Sequence, residues 1–500
     1  MMKQSNSIRP LFVIEFVSKI LILLLSIVVA KTFGASETLD IFTWTLFLFL
    51  TVHGWLFGTF DFTIIPVFSG LSQDQRIMAS KSMILFVICV LLIVLPIIGV
   101  NYQFIFLRLT NFDAEVIDSF YHSFICLFIY FFVNSVYATI EIILNQAKIY
   151  VVPVILRGLV NPLVIIAFVI GSNGDFDYYI FGYIISHLVI LFSVLLIHHQ
   201  RFSSRNYQKN SDVNLPRIFI LRGFPILASQ ILNSISEFLL RYILTGFSIG
   251  TLFFYGISTK LVVVINSIFS QTILKVGYTE LCALVAKEGN GHKDLFTCLF
   301  RSVFLYSMAA MVFFIAIADS LILLLYSGGA ITTDQTMMMS NIFKVLVIGI
   351  VPSSLHALNW KYLASLNKTH IFMIWAIPNS LFSGVVIYFF ANSVITAAYS
   401  EVFLAFYSLV FYSIYVFRVS GFKINTRNIL FYLYVAIICF CMHLILQATV
   451  DARFVNAIGA IGAIGAIGLC GLIFVVQLLF LATTASLILP FSFSDLRQMK

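Results

Sequence analysis

The sequence predicts an all-α protein that crosses a membrane about fourteen times. Its composition is 61% hydrophobic and only 10% charged, whereas soluble domains are roughly 45–50% apolar and about 25% charged. Apolar runs that reach the roughly 20 residues needed to cross a bilayer core recur along the whole chain. The gaps between these runs alternate between basic and acidic, as loops on opposite sides of a membrane do.

The apolar runs define the predicted spans. Several are longer than the bilayer core requires, which predicts tilt or extension beyond the membrane. The fourteen segments are 11–33, 41–69, 80–100, 118–144, 150–171, 177–198, 217–246, 250–273, 299–326, 337–362, 370–391, 394–417, 428–448 and 455–489.

The charges between the spans predict the orientation. Short cytoplasmic loops carry an excess of Lys and Arg. The basic gaps follow every second span, so we expect an even number of spans with both termini in the cytoplasm. The basic gaps contain Arg76, Lys81, Lys148, Arg201, Arg205, Lys209, Lys275, Lys361, Lys368, Arg418 and Lys423, and the opposite gaps contain Glu37, Asp40, Asp113, Glu115, Asp175 and Asp334.

The longest polar break, His198 to Arg217, follows the sixth span and predicts a linker between two halves. A faint repeat supports this division, since LNQAKIY precedes span five and SLNKTH precedes span eleven. Six spans return the chain to the same side, so the halves form a parallel pseudo-twofold repeat, a common transporter plan. The predicted domains are an N-terminal six-helix bundle (1–198), a cytoplasmic linker (199–216), a C-terminal six-helix bundle (217–418), and two additional spans with a cytoplasmic tail (419–500).

Catalytic and metal-binding patterns are missing from the sequence. There is no GxSxG, phosphate-binding GxxxxGK[ST], HExxH or Gly-rich dinucleotide loop. The seven cysteines form no CxxC pair and are typical of small buried hydrophobic residues. The net charge of +8 is spread over short loops, which argues against a nucleic-acid partner. We therefore expect no enzyme activity, no cofactor and no metal.

Ionisable residues inside the apolar spans are the informative feature. A charge at the bilayer centre costs about 2.5–3.5 kcal/mol or more, so it usually faces a protein interior or a wet cavity. Lys19 and Lys260 are flanked by apolar residues over several turns and are the candidates for attracting an anionic headgroup. The other such residues are Glu15, Asp61, Glu141, Glu237, Arg241, Lys344 and Glu401.

Local alternatives exist for several of these charges. Glu15–Lys19 and Glu237–Arg241 share i, i+4 spacing, at which each pair neutralises itself on one helix. Asp61, Glu141 and Arg241 fall towards predicted span ends, where a long side chain can reach the interface. On the residues alone, a headgroup site and simple neutralising pairs both remain open.

Two stretches resemble a known family. VVAKTFGASETLDIF (Val28 to Phe42), followed by IIPVFSG, is similar to the opening of the MviN/MurJ lipid II flippases of the multidrug/oligosaccharidyl-lipid/polysaccharide exporter superfamily. GTLFFYGISTKLVVV (Gly250 to Val264) resembles the start of that family's span eight. The layout of fourteen spans with two appended helices is also similar.

The resemblance implies two six-helix bundles around a V-shaped cavity, with a lipid-tail groove bordered by the last two helices. It implies that basic residues hold an anionic lipid diphosphate-saccharide headgroup, and Lys19 and Lys260 match two of them. Other family positions differ, because Leu25 and Ser26 replace an Arg and an Asp, and the span-two Arg falls near His53. A less cationic cavity implies a different cargo, such as a surface-polysaccharide unit.

The predicted function is a flippase that moves a polyprenyl-diphosphate-linked saccharide across the bacterial inner membrane by alternating access. Its cargo is either a lipid II-like peptidoglycan precursor or a surface-polysaccharide repeat unit. Lys19 and Lys260 are predicted to bind the diphosphate. The expected partners are this lipid, membrane lipids, and a coupling cation or proton. The cavity or ion-coupling candidates are Glu15, Glu237, Arg241, Asp40 and His53.

Three other functions are alternatives for a chain of this composition. A cation-coupled small-molecule or drug antiporter of the same superfamily is expected to have a carboxylate-dominated cavity and no lipid groove. A non-transporting membrane scaffold is disfavoured by the small extramembrane surface for partners. A membrane-embedded glycosyltransferase or ligase is expected to have a large outer catalytic loop, and no predicted outer gap is that long.

Overall fold

The computed structural model describes residues 2–69, 73–146, 149, 151–202, 223–286, 291–366 and 368–420. Within these ranges the chain is almost entirely helical. The last two predicted spans, 428–448 and 455–489, and most of the predicted linker lie outside the described residues.

The helices before the polar break closely follow the predicted spans. Two short helices, α4 and α5, lie between the third and fourth spans, and the π-helical segment Leu156–Val160 joins α7 to α8. The bounds are α1 Met2–Phe33, α2 Glu37–Ser69, α3 Gln73–Val100, α4 Tyr102–Leu109, α5 Ala114–Ser119, α6 Tyr121–Gln146, α7 Val151–Ile155, α8 Asn161–Gly171 and α9 Phe176–Phe202.

The helices after the break also correspond to predicted spans, with one extra helix, α12. A second π-helical segment, Ser267–Gln271, joins α11 to α12. The bounds are α10 Phe224–Thr245, α11 Thr251–Asn266, α12 Thr272–Ala286, α13 Gly291–Tyr326, α14 Thr333–Ile348, α15 Ile350–Ser365, α16 His370–Phe390 and α17 Val394–Ser420.

The described chain is a multi-pass membrane protein. It contains 10 helices long and apolar enough to cross a membrane, or 11 if one bent pair counts as a single span. The all-helical, polytopic fold class predicted from the sequence is therefore confirmed. Two of the fourteen predicted spans lie outside the described residues. Of the other twelve, the span predicted at 217–246 is the one whose helix, α10, is not counted as long and apolar enough to cross.

One predicted span is not a single straight helix. The sequence predicted one span over 337–362, but α14 and α15 meet at Gly349 with a bend of 41°. Pro352 lies just beyond the bend and has no N–H to donate to the carbonyl of Ile348. A proline at this position favours a break in the helix. The span prediction used only the length of the apolar run, and this run continues through the bend.

The described residues divide into two compact units. The first comprises Met1–Gly256 and Thr369–Val394, and the second comprises Ile257–Lys368 and Ile395–Lys500 as far as these are described. The first unit thus includes α10 and α16 together with the N-terminal helices. The predicted pair of six-helix bundles concerns repeat symmetry, which this grouping does not test, and it stays a prediction.

In the first unit, polar side chains attach α10 to its neighbours. Asn379 on α16 donates its Nδ2 hydrogen to Asn233 Oδ1 (3.1 Å), and Ser380 Oγ donates to the carbonyl of Leu232 (2.7 Å). Trp55 Nε1 on α2 donates to Ser234 Oγ (3.2 Å). Such interhelical hydrogen bonds join helices in a membrane, where lipid tails compete with apolar contacts. The polar residues that make these hydrogen bonds lower the hydropathy of α10. This helix is therefore not among the helices that are apolar enough to count as spans.

In the second unit, small polar residues bring α15 against its neighbours. Ser354 Oγ donates to Asn266 Oδ1 (2.7 Å), and Asn359 Nδ2 donates to Ser413 Oγ on α17 (3.0 Å). Lys344 on α14 pairs with Asp319 on α13 (2.7 Å), and Ser340 Oγ donates to the same carboxylate (2.6 Å). The intramembrane charge of Lys344 is therefore neutralised within this unit.

Candidate functional site

The first unit contains an ion pair between two helices that cross the membrane. Arg157 Nη1 lies 3.4 Å from Glu141 Oε2, and Glu141 belongs to α6. The two residues are separated by 16 positions in the chain. Strong charge-assisted hydrogen bonds are shorter, about 2.7–2.9 Å, so this contact is a loose one.

Arg157 lies in the π-helical segment Leu156–Val160. The N–H of Asn161 donates to the carbonyl of Leu156, five residues earlier, instead of four. Pro162 follows directly and cannot donate to the carbonyl of Gly158, which weakens the α-helical pattern at this point. Single π-turns inside transmembrane helices occur frequently at functional sites, because they change the direction in which side chains point.

The side chain of Arg157 is only partly packed. Of this side chain 53% is accessible, compared with 16% for its partner Glu141. A charge inside a membrane segment is costly unless it is paired, so the Glu141 carboxylate offsets part of the cost of this guanidinium.

Polar and aromatic side chains lie within electrostatic range of this guanidinium. The charge of Arg157 acts on Tyr130 and Tyr137 of α6, on His53 of α2 and on His187 of α9. We call Arg157, Glu141, His53, Tyr130 and Tyr137 the Arg157 cluster. It draws residues from three separate membrane-crossing segments.

Two buried polar atoms, one in this cluster and one on the residue after the π-helical segment, have no hydrogen-bond partner among the described residues. They are Nδ1 of His53 and Oδ1 of Asn161. The imidazole of His53 stacks on Phe57 with 4.1 Å between ring centroids. Native proteins satisfy most buried polar atoms, so unpaired ones beside an accessible charge are typical of a site that receives a polar ligand or water.

Lys19 lies beside the same π-helical segment. Its neighbour Ser18 is buried and packs so closely on Gly158 that a Cβ at position 158 would overlap the Ser18 side chain. The Ser18 side chain of α1 thus packs directly on the backbone of the π-helical segment, next in sequence to both Lys19 and Arg157. Lys19 itself is half-buried.

The other residues of the predicted headgroup site are placed separately. Lys260 is an exposed residue of α11 and belongs to the second unit, whereas Lys19 belongs to the first. Glu237 is exposed on α10. The side chain of Glu15 lies outside the described part of the chain. Headgroup binding by Lys19 and Lys260 therefore stays a prediction.

Asp40 joins the beginning of α2 to the beginning of α11. Its Oδ2 accepts the N–H of Gly250 (2.6 Å), and its Oδ1 accepts the N–H of Phe253 (2.7 Å). A carboxylate at a helix N-terminus satisfies N–H groups that have no partner inside the helix. Gly250 has φ +84°, and a Cβ there would collide with Ala35. Both carboxylate oxygens of Asp40 are thus used in a structural contact.

Arg241 lies between two aromatic rings. Its guanidinium carbon is 5.1 Å from the centroid of Phe47 on α2 and 5.2 Å from that of Tyr255 on α11. Cations over aromatic faces at this distance gain about 0.5–2 kcal/mol. The arrangement gives Arg241 a packing role between helices, and the predicted role in ion coupling remains untested.

The sequence analysis does not predict a role for Arg157, and it places Glu141 towards a span end. The position of each residue carries a signal, however. Arg157 interrupts the apolar run VVPVILRGLVNPLVIIAFVIG, where a charge is costly, and Glu141 lies in the span before it. Their pairing could not have been read from spacing, because the turn between the two spans separates them.

Comparison with known proteins gives matches in structure. No family model matches the sequence, and no curated protein matches it. The lipid II flippase MurJ, in an inward closed conformation, matches with a TM-score of 0.72 at 17% identity, covering 94% of this chain and 99% of that chain. The chain has the fold of these transporters.

Other matches belong to the same superfamily. An inward-facing multidrug resistance MATE family transporter of the MOP superfamily matches with a TM-score of 0.63 at 11% identity, over 81% of this chain and 94% of its own. A MOP superfamily transporter from Pyrococcus furiosus matches with a TM-score of 0.62 at 12% identity, over 83% and 95%. The resemblance seen in Val28–Phe42 and Gly250–Val264 is confirmed at the level of fold, and the matched proteins are transporters rather than enzymes.

Proposed function

We propose that this protein is a flippase for a polyprenyl-diphosphate-linked saccharide in the bacterial inner membrane. The observation that carries the proposal is the fold shared with the lipid II flippase MurJ over 94% of the chain. Ionisable groups inside the spans support it, since Lys19, Arg157 and Lys260 are cations in segments that are otherwise apolar. Intramembrane charges of this kind mark substrate or ion pathways.

The finer architecture in this proposal is fourteen spans, arranged as two parallel six-helix bundles with two appended helices and both termini in the cytoplasm. The MATE transporter covers 81% of this chain, whereas MurJ covers 94%. If this chain has additional helices beyond the twelve of the bundles, we expect MurJ to cover a larger share of it than the MATE transporter does. The alternating basic and acidic gaps support the orientation.

Lys19 and Lys260 are proposed to hold the diphosphate as compact positive charges. Glu15 and Glu237 are proposed either to keep these cations in place or to couple transport to a cation or proton. Their positions one turn from Lys19 and Arg241 suit both roles.

The proposed transport cycle is alternating access around the headgroup site. Asp40 is proposed to contribute by holding the starts of α2 and α11 together, at the side that the charge pattern assigns to the exterior. Opening towards that side would require Asp40 to release the N–H groups of Gly250 and Phe253.

The test is export by lysine variants in a strain whose surface polysaccharide or cell wall depends on this protein. Lys19→Ala and Lys260→Ala should each reduce export strongly at normal membrane abundance. Lys31→Ala is the matched control, because Lys31 is an exposed lysine in the last turn of the same helix as Lys19. Normal export by the double variant would remove both lysines from the mechanism.

A small-molecule antiporter is the second candidate, favoured by the match to the multidrug MATE transporter. It predicts a different cargo and a different dependence on carboxylates. Uptake of cationic dyes into proteoliposomes that contain the purified protein separates the two candidates. Dye transport that survives loss of both lysines would favour the antiporter.

A further inference from the structure

The pair of Arg157 with Glu141 uses little of the hydrogen-bonding capacity of the guanidinium. Among the described residues, Arg157 makes one side-chain hydrogen bond, a long one of 3.4 Å to Glu141 Oε2. A guanidinium carries five N–H donors in a rigid fork. Most of its binding capacity is therefore available to a ligand that reaches it.

We propose that Arg157 binds a phosphate group of the lipid-linked cargo and that Glu141 is the internal anion which this phosphate displaces. This inference rests on the proposed flippase function and adds a headgroup-binding residue to it. The planar fork of Arg suits bidentate contact with phosphate better than the single ammonium of a lysine does.

Access and surroundings support this role. The accessible half of the Arg157 side chain provides a surface for an incoming anion. Tyr130, Tyr137 and His53 lie within electrostatic range of Arg157, and the Tyr137 hydroxyl donates to the carbonyl of Pro153 (3.1 Å). Glu141 is the one carboxylate recorded in contact with Arg157 among the described residues.

The π-helical segment gives the site its position. It presents Arg157 one residue from Gly158, where the chain touches Ser18, and Lys19 follows Ser18 on α1. The site thus adjoins the helix that carries the first predicted headgroup lysine. A cation from span five can supply positive charge that Leu25 and His53 do not provide at the positions expected from the family resemblance.

The pair with Glu141 gives Arg157 a counter-charge at the stage of the proposed cycle that precedes cargo binding. Without cargo, the Glu141 carboxylate neutralises Arg157 and lowers the cost of keeping a cation within the membrane. A phosphate offers Arg157 two charged oxygens at once and competes with the single long contact to Glu141. Release of cargo restores the internal pair, so the site is not left with an unpaired charge.

The experiment measures binding to the purified full chain in detergent by thermophoresis. The probes are undecaprenyl diphosphate, undecaprenol with the same tail and no phosphate, and inorganic pyrophosphate. The variants are Arg157→Gln, Arg157→Lys and Glu141→Gln. The matched control is Arg108→Gln, which changes an exposed arginine on α4 that lies over the ring of Phe104.

If the proposal is right, neutralising Arg157 and neutralising Glu141 change the affinity for the diphosphate lipid in opposite directions. Arg157→Gln should weaken diphosphate-lipid binding roughly ten- to hundredfold, and Arg157→Lys should weaken it less. Glu141→Gln removes the competitor and should strengthen binding. A merely structural ion pair predicts that both neutral variants reduce binding or stability in the same direction. If Arg157→Gln does not fold, tighter binding by Glu141→Gln still supports the proposal, and unchanged or weaker binding overturns it.

The outcomes also separate this proposal from the flippase function. Binding of the diphosphate lipid by the wild type, with unchanged binding by Arg157→Gln, overturns the role of Arg157 and leaves the flippase proposal standing. Wild-type protein that does not distinguish undecaprenyl diphosphate from undecaprenol overturns both. Binding of inorganic pyrophosphate with the same dependence on Arg157 identifies a phosphate site that needs no lipid, whereas binding of the diphosphate lipid alone assigns the site to the lipid-linked headgroup.

Discussion

The carboxylate of Asp40 accepts the backbone N–H of Gly250 at 2.6 Å, across 210 residues of sequence. This contact, with the second one to Phe253, joins the first turn of α2 to the N-terminus of α11. It depends on a carboxylate at position 40 and on a residue at position 250 that tolerates a positive φ. The two residues belong to the two stretches that suggested the family resemblance.

Asp40→Asn is expected to destabilise this connection. An amide keeps one acceptor oxygen, so one of the two N–H groups loses its partner and the helix N-terminus loses a negative charge. Loss of a helix cap costs about 0.5–2 kcal/mol, and the apparent unfolding temperature in detergent should fall accordingly. Glu37→Gln removes a charge from the same turn and serves as the control. Equal melting temperatures for Asp40→Asn and wild type would contradict the capping role.

Gly158→Ala should disturb the contact between α1 and the π-helical segment. Its Cβ would lie 2.5 Å from the Cβ of Ser18, and overpacking of this kind costs about 1–3 kcal/mol. Adding Ser18→Gly removes the opposing side chain and should recover part of the loss. Thermal unfolding of the two single variants and the double variant tests this coupling. Strictly additive effects would show that the two positions do not share a contact.

Arg241→Ala should lower stability through loss of contact with Phe47 and Tyr255, by about 0.5–2 kcal/mol. Arg241→Lys keeps a cation and should lose less. In a Phe47→Leu, Tyr255→Leu background, the effect of Arg241→Ala should shrink, because the aromatic partners are already gone. Should transport fail in Arg241→Lys while stability stays at the wild-type level, the residue would act in ion coupling instead of packing.

Reporter fusions test the orientation. A reporter near Asp175 should be external and one after Lys209 should be cytoplasmic, because the 27-residue helix α9 separates these positions. Position 209 lies outside the described residues, so this expectation comes from the charge pattern. Each position is fused both to a reporter that is active only in the cytoplasm and to one that is active only outside, so that every fusion has a positive signal from one of the two. Signals from the same side at both positions would end the fourteen-span topology.

The cargo is expected to carry fewer anionic groups than lipid II. A diphosphate keeps its charge whichever sugar it carries, but Leu25 and His53 lack the cationic groups that the family resemblance predicts. A peptide stem with carboxylates should therefore be disfavoured. The measurement is rescue of a strain depleted of its lipid II flippase, with this protein expressed at verified levels. Complete rescue of growth and of lipid II translocation would show that the reduced charge does not exclude lipid II.

The sequence by itself determined the fold class and most of the span positions. Both follow from local quantities, since an apolar run of sufficient length must be helical to satisfy its backbone in a membrane. The apolar runs at 80–100 and 370–391 therefore predicted α3 and α16 closely. The unusual cost of Lys19 and Lys260 was equally visible, because it depends only on the neighbouring residues along the chain.

Tertiary structure alone decided which polar residues meet. Arg157 and Glu141 come from different spans, and Asp40 reaches Gly250 across 210 residues of sequence. Apolar periodicity cannot specify such contacts, because they depend on how helices pack and on local departures such as the π-helical segment at Arg157. The bend at Gly349 is different, because Pro352 is a local signal for a break that the sequence already contains.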